Sequence, residues 1–181
     1  MTAKAAVPAV IRAPKPADAG ALYRLPGHLI RRCHQISVAL FFEECAGFDI
    51  TPQQYAALGA LAANDGVDQI TLAGLAAFNR TTAGEIVERM ETAGLVKRRN
   101  STLDRRMKNI FITDVGRRLL ADVDGAVLRV QERLLTPLEP AERARFIEFL
   151  ARIADENNEL SRAPLRPIGK GARGKRGLDG A

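Results

Sequence analysis

Cysteine is scarce in this sequence. Cys33 and Cys45 are the only two among 181 residues. They fall twelve apart in one predicted helix, which is about 18 Å along its axis and beyond the reach of an intrachain disulfide. Reduced thiols of a cytoplasmic protein are therefore the expectation. Histidine is equally scarce: His28 and His34 lie six apart, about 240° around a helix, so they do not form the i, i+4 pair of a zinc site. No CxxC pair, glycine-rich phosphate loop or nucleophile elbow occurs. Glu43-Glu44 are adjacent, about 100° apart on a helix, and read as a solvated edge rather than an acid/base pair. Neither an enzyme nor a cofactor is expected. There is no run of eighteen apolar residues for a transmembrane helix, and no apolar stretch before a cleavage site to suggest a secretory signal. Tryptophan is absent and aromatics make up 5%, yet 46% of the chain is apolar, enough for a sizeable core. The length suits one compact domain with appendages.

The net charge of +6 is uneven. Residues 1–22 carry Lys4, Arg12 and Lys15 against Asp18, 3 − 1 = +2; residues 163–181 carry Arg166, Lys170, Arg173, Lys175 and Arg176 against Asp179, 5 − 1 = +4. The body from 23 to 162 is formally neutral. The Ala- and Pro-rich segment 1–22 is predicted to be a disordered basic arm, and 163–181 a disordered basic tail that adds nonspecific electrostatic attraction.

Pro26 suits the first turn of a helix. Leu25, Leu29, Cys33, Ile36, Leu40 and Phe41 then predict an apolar stripe running to Ala46, with Gly47 as terminator. Thr51-Pro52 is a helix start, with Tyr55, Leu58, Leu61 and Ala62 inward. Asn64-Asp65-Gly66 turns the chain, and Asp68 can cap a short helix from Gln69 to Ala77. Its small residues, Gly74 among them, would let neighbouring helices approach closely. Asp114 can cap a long helix carrying Leu119, Leu120, Val123, Val127, Leu128, Val130, Leu134 and Leu135 up to Pro137. Pro140 opens a last helix with Phe146, Ile147, Phe149, Leu150 and Ile153. These helices are too apolar for a small neutral body to leave exposed, which points to a dimer core.

The stretch from Asn79 to Thr113 carries the functional signal. Ile86, Val87 and Met90 share one helical face, and Thr82, Glu85 and Arg89 the other. Asn79 is one candidate N-cap; Thr82, with Glu85 three residues on, is another. Gly94 ends the helix. Leu95-Val96 opens a strand that returns through Asn109–Thr113. Between them, Lys97, Arg98, Arg99, Arg105, Arg106 and Lys108 stand against Asp104, 6 − 1 = +5 in twelve residues. A polar-faced helix followed at once by a cationic hairpin suits the major groove of duplex DNA and its flanking phosphates or minor groove. The plainer alternative is a solvated helix and a charged surface turn.

These residues resemble the winged helix-turn-helix of the MarR family of transcriptional regulators. The matching motifs are Thr81-Thr82 at the start of the recognition helix, Glu91-Thr-Ala-Gly94-Leu95-Val96 at its end, Asp104-Arg105-Arg106 in the wing and Ile112-Thr113-Asp-Val-Gly116 after it. The resemblance covers about Tyr23 to Arg162. It implies a mainly α fold with a small β-wing, in which 51–113 is the DNA-binding region and 23–50 with 114–162 the helical dimerisation region. Palindromic operator DNA and a second copy of the chain are the implied partners. It favours Asn79 as the cap and gives Arg80, Thr81, Thr82, Glu85, Arg89, Arg98, Arg105, Arg106 and Lys108 as the DNA-binding set.

His28, Arg31, Arg32 and His34 crowd four basic-type side chains into seven residues of the first helix. They read either as a solvated face or as an anion-recognising wall. In the family, effectors bind between the dimer helices and the winged domain, near the first helix. Tyr55 could stack on an aromatic ligand there. The Leu25–Arg32 segment resembles members that control aromatic-acid breakdown, so the implied effector is a small anionic aromatic acid or its coenzyme A thioester. It would release a repressor from its operator. Cys33 reads as a small core hydrophobe. The alternative is a redox sensor, with Arg32 lowering the thiol pKa, although its position fits the peroxide-sensing relatives poorly. A nonspecific architectural DNA-binding protein is the rival from another class.

Overall fold

The computed structural model describes residues 22–100 and 108–166. Helix α1 (Pro26–Glu44) leads into α2 (Pro52–Ala63), a two-residue strand β1 (Val67–Asp68), α3 (Gln69–Leu75) and α4 (Arg80–Thr92). Strands β2 (Val96–Asn100) and β3 (Lys108–Ile112) follow, then α5 (Asp114–Leu135), α6 (Pro140–Glu156) and a 3₁₀ turn, Asn158–Leu160. The fold is mainly α with a small antiparallel sheet in the order β1-β3-β2. The expected arm 1–22 lies almost wholly outside the described residues, as do Asp104, Arg105 and Arg106 of the wing and most of the tail.

Local chemistry sets most boundaries. Pro52 occupies the first turn of α2, and Thr51 and Gln54 form a reciprocal capping box, Thr51 N–H to Gln54 Oε1 at 2.8 Å and Gln54 N–H to Thr51 Oγ1 at 3.2 Å. Asp68 caps α3 by accepting the N–H groups of Ile70 and Thr71. At the end of α4, Leu95 N–H reaches Met90 O and Gly94 N–H reaches Glu91 O. Gly94 sits at φ +71, so this is a Schellman stop that needs the left-handed backbone.

The core lies where α2, α4, α5 and the sheet meet. Leu58, Leu61, Leu72, Val87, Met90, Ile110, Val123 and Val130 are fully buried. The C-terminal half of α1 joins it through Phe41 and Cys45, whereas Leu29, Cys33 and Ile36 of the expected stripe are exposed. Cys33 is therefore not a core hydrophobe within the protomer. Likewise Ala57, not Ala62, completes the inner face of α2, and Leu128 points outward from α5. No residue of α6 is buried.

Three further expectations change. The long helix is capped by Thr113, whose Oγ1 accepts Gly116 N–H at 3.1 Å, and Asp114 becomes its acidic first-turn residue. Glu43 and Glu44 are not merely solvated. Glu44 takes Arg129 at 2.8 Å and Arg133 at 2.7 Å, and Arg133 also reaches Glu43, so ion pairs join the end of α1 to α5. Hydrogen bonds from Arg129 and then Arg133 hold the Glu44 carboxyl below its ordinary pKa. Beyond the 3₁₀ turn, Leu165 exchanges two hydrogen bonds with the Asn158 side chain. Gly74 faces Pro164 so closely that an added Cβ would stand 3.0 Å from its carbonyl oxygen. The small residue admits a backbone segment there rather than a helix.

Candidate nucleic-acid interface and effector site

Helices α3 and α4 form the helix-turn-helix. The turn between them is a second Schellman stop, with Phe78 N–H on Ala73 O at 2.8 Å; here Ala77 itself takes φ 55. Gln69 of α3 lies over Gly84 and donates to Arg80 O at 3.3 Å, which ties the first helix of the pair to the second. Asn79 is the N-cap: its Oδ1 accepts Thr82 N–H at 2.9 Å. The helix therefore begins before Thr82, and the alternative cap at Thr82 is not used.

That start decides what the helix presents. Ala83, Ile86, Val87 and Met90 are buried. Arg80, Thr81, Glu85 and Arg89 are exposed, and Thr82 is half-buried. Glu85 and Arg89, with Glu88, Thr92 and Ala93, line an open depression of about 670 Å³. A smaller groove of about 210 Å³ runs from Thr82, Glu85 and Arg89 to Thr51, Gln53 and Gln54 at the start of α2. Gln53 was not among the expected site residues. Its place beside the recognition helix is a tertiary contact across some thirty positions, with no trace in local periodicity.

The wing is braced from both sides. β2 pairs with β3 from Val96↔Ile112 to Asn100↔Lys108, and β1 adds Val67↔Ile110. Asp65 accepts Ile112 N–H at 2.9 Å and pairs with Arg117 of α5 at 2.8 Å. Lys97 and Lys108 are exposed, while Arg99 lies over the Phe111 ring, 5.8 Å from its centroid. Arg98, one of the expected DNA-binding residues, has its Nε 2.8 Å from Glu91 Oε2.

The expected effector residues come together only in part. His28 is half-buried, edge-on to Tyr23 at 5.4 Å between centroids, and its Nε2 is covered yet has no hydrogen-bond partner among the described residues. Arg31, Arg32 and His34 are exposed on the same part of α1. Tyr55 stands elsewhere, 6.1 Å from Phe41 between centroids. Phe41 is about 20 Å along the helix axis from His28. Burial, then Asp124 and Cys45, push the Tyr55 hydroxyl pKa up. Burial and Glu44 push the Cys45 thiol up, which leaves it a poor nucleophile. Among the described residues no cluster of His, Cys, Asp and Glu could hold a metal, and no helix is long and apolar enough to cross a membrane.

Comparison with known proteins agrees with this geometry. Residues 48–107 match the model of the MarR family. The PcaV transcriptional regulator from Streptomyces coelicolor, solved with its natural ligand, is 30% identical; the match covers 80% of this chain and 98% of that one, with a TM-score of 0.67. CouR, a transcriptional repressor solved on a 23-mer DNA duplex, is 29% identical, with 79% and 99% coverage and a TM-score of 0.69. BpsR of Bordetella bronchiseptica, whose DNA binding is regulated by 6-hydroxynicotinic acid, is 25% identical, with 74% and 95% coverage and a TM-score of 0.70.

Proposed function

Because the chain belongs to the MarR family of transcriptional regulators, we propose that it is a homodimeric repressor of a palindromic operator, released by a small aromatic acid or its coenzyme A thioester. The observation that carries the DNA half of this reading is the two-faced recognition helix. Its apolar face is spent on the core, while Arg80, Thr81, Thr82, Glu85 and Arg89 remain for base edges and phosphates beside a cationic wing. Lys108, Arg105 and Arg106 are the proposed wing contacts. The dimer reading is supported by apolar side chains left exposed on the first half of α1 and along α6.

The effector half is supported by the basic wall of His28, Arg31, Arg32 and His34, by the unpartnered His28 Nε2, and by BpsR's response to an aromatic acid. Arg31 and Arg32 point about 100° apart on α1. One is proposed to hold the carboxylate, or a thioester's phosphates, while the other pairs with an acidic neighbour. Release follows from linkage: a ligand that prefers the form unable to grip DNA weakens binding by its differential affinity.

The test titrates the complex with its selected duplex using benzoate-like and cinnamate-like acids and their thioesters, with free coenzyme A as control. Release by one class that disappears in folded Arg31→Ala or Arg32→Ala supports the reading. No release by either class, with release by peroxide that requires the exposed Cys33, replaces it with redox sensing.

A further inference from the structure

One side chain joins the last turn of the recognition helix to the wing. Glu91 Oε1 accepts the backbone N–H of Arg98 at 3.0 Å, and Glu91 Oε2 stands 2.8 Å from Arg98 Nε. That Nε is covered, but its N–H is not aligned on the oxygen, so the side-chain contact is Coulombic rather than a hydrogen bond. The topology explains why an acceptor is needed there. β2 is the edge strand of the sheet, and an N–H that faces away from β3 has no ladder partner. Glu91 supplies one from outside the sheet. The only backbone link between α4 and β2 is the tight turn Ala93–Leu95, so this carboxylate is a second tether seven residues away from its partner.

The charge arithmetic changes with it. Arg98 is one of the six cations between Lys97 and Lys108. Its side chain is 28% exposed and faces a carboxylate. We infer that Glu91 is a positioning residue for DNA recognition: it fixes the angle at which the wing leaves α4 and withholds the Arg98 cation from the phosphates. A wing held at one angle can meet the duplex only when the recognition helix is seated, and one cation fewer lowers the grip on any sequence. The tether to the backbone therefore favours specific over nonspecific binding, while the withheld cation lowers both alike. This inference rests on the DNA-binding reading above.

The experiment measures the salt dependence of binding by the full chain to two duplexes. One carries the sequence recovered by selection from a random pool, and the other is a scrambled duplex of equal length. Glu91→Gln keeps an acceptor for Arg98 N–H but loses the charge. It should steepen the slope of log K against log salt by about 0.9 on both duplexes, one more phosphate neutralised, and keep the ratio of selected to scrambled affinity. Glu91→Ala should steepen the slope equally and lower that ratio several-fold. Adding Arg98→Ala to Glu91→Ala should restore the original slope. Arg98→Ala alone keeps the bond from its backbone N–H to Glu91 and should leave both the ratio and the slope as they were. A slope flattened by Arg98→Ala alone means that the cation already sits on DNA and overturns the inference, even if the Glu91 variants do not fold. Folded Glu91 variants with unchanged slopes overturn it too, leaving the pair a structural contact. A wild-type chain that binds neither duplex overturns the functional reading and this inference together.

Discussion

Thr113 joins three elements with one hydroxyl. Its Oγ1 lies 2.7 Å from Gly94 O and 3.0 Å from Leu95 O, to which it donates its proton, and it accepts Gly116 N–H. The stop after α4 and the start of α5 are thereby fixed to each other. Gly116 completes the junction, since a Cβ there would overlap the Leu95 carbonyl oxygen. In the sequence Asp114 reads as the cap; Thr113 takes that role because of the two carbonyls it meets across the junction. At α4 the sequence offers both Asn79 and Thr82, and there the resemblance points to the cap that the backbone uses. Asp68 is a third cap, legible from its position alone, and it carries a pH dependence. Burial raises its pKa, but hydrogen bonds from the Thr71 hydroxyl and from the N–H groups of Thr71 and Ile70 outweigh this, so the folded value lies below the ordinary one. Protons then favour the unfolded chain. The stabilisation is complete above about pH 4, the unfolded value, and is lost as pH falls through the depressed folded value. Asp68→Ala should cost about 1 kcal/mol near neutral pH, and the deficit should shrink as the pH approaches 3. Urea melts of both proteins at the two pH values check this; an equal deficit at both would contradict it.

Among the elements, the helices were readable from local signals: a cap or a first-turn proline, an apolar period, or a stop. α2 and α4 fall where Thr51-Pro52 and Asn79 to Gly94 mark them. β1 was not readable, because two residues are too few for any period and its pairing with Ile110 and Asn109 is set by the wing's return strand. The basic wall on α1 was readable as a cluster, but the distance of Tyr55 from it was not, since that depends on which turn of α1 meets α2. The recognition helix gives the sharpest expectation at this scale. Thr82→Ala and Arg89→Ala should each narrow the gap between specific and nonspecific affinity by about 1–3 kcal/mol, the worth of a good base contact. Parallel titrations of selected and scrambled duplexes measure it. If both affinities fall together for both variants, these residues only position the backbone.

At the scale of the whole molecule, the protomer leaves a good deal of apolar surface unused. Leu29, Ile30 and Ile36 on α1, and Ile147, Phe149, Leu150 and Ile153 on α6, are exposed. Two-fold pairing of these faces would bury them and set two recognition helices to read an inverted repeat. The most direct measurement is selection of bound sequences from a random duplex pool by the full-length chain. The account predicts enrichment of one inverted repeat, its half-sites about 10 base pairs apart, one turn of the duplex. Recovery of unbiased sequence, with equal affinity for any duplex, would contradict it and make the protein an architectural DNA binder.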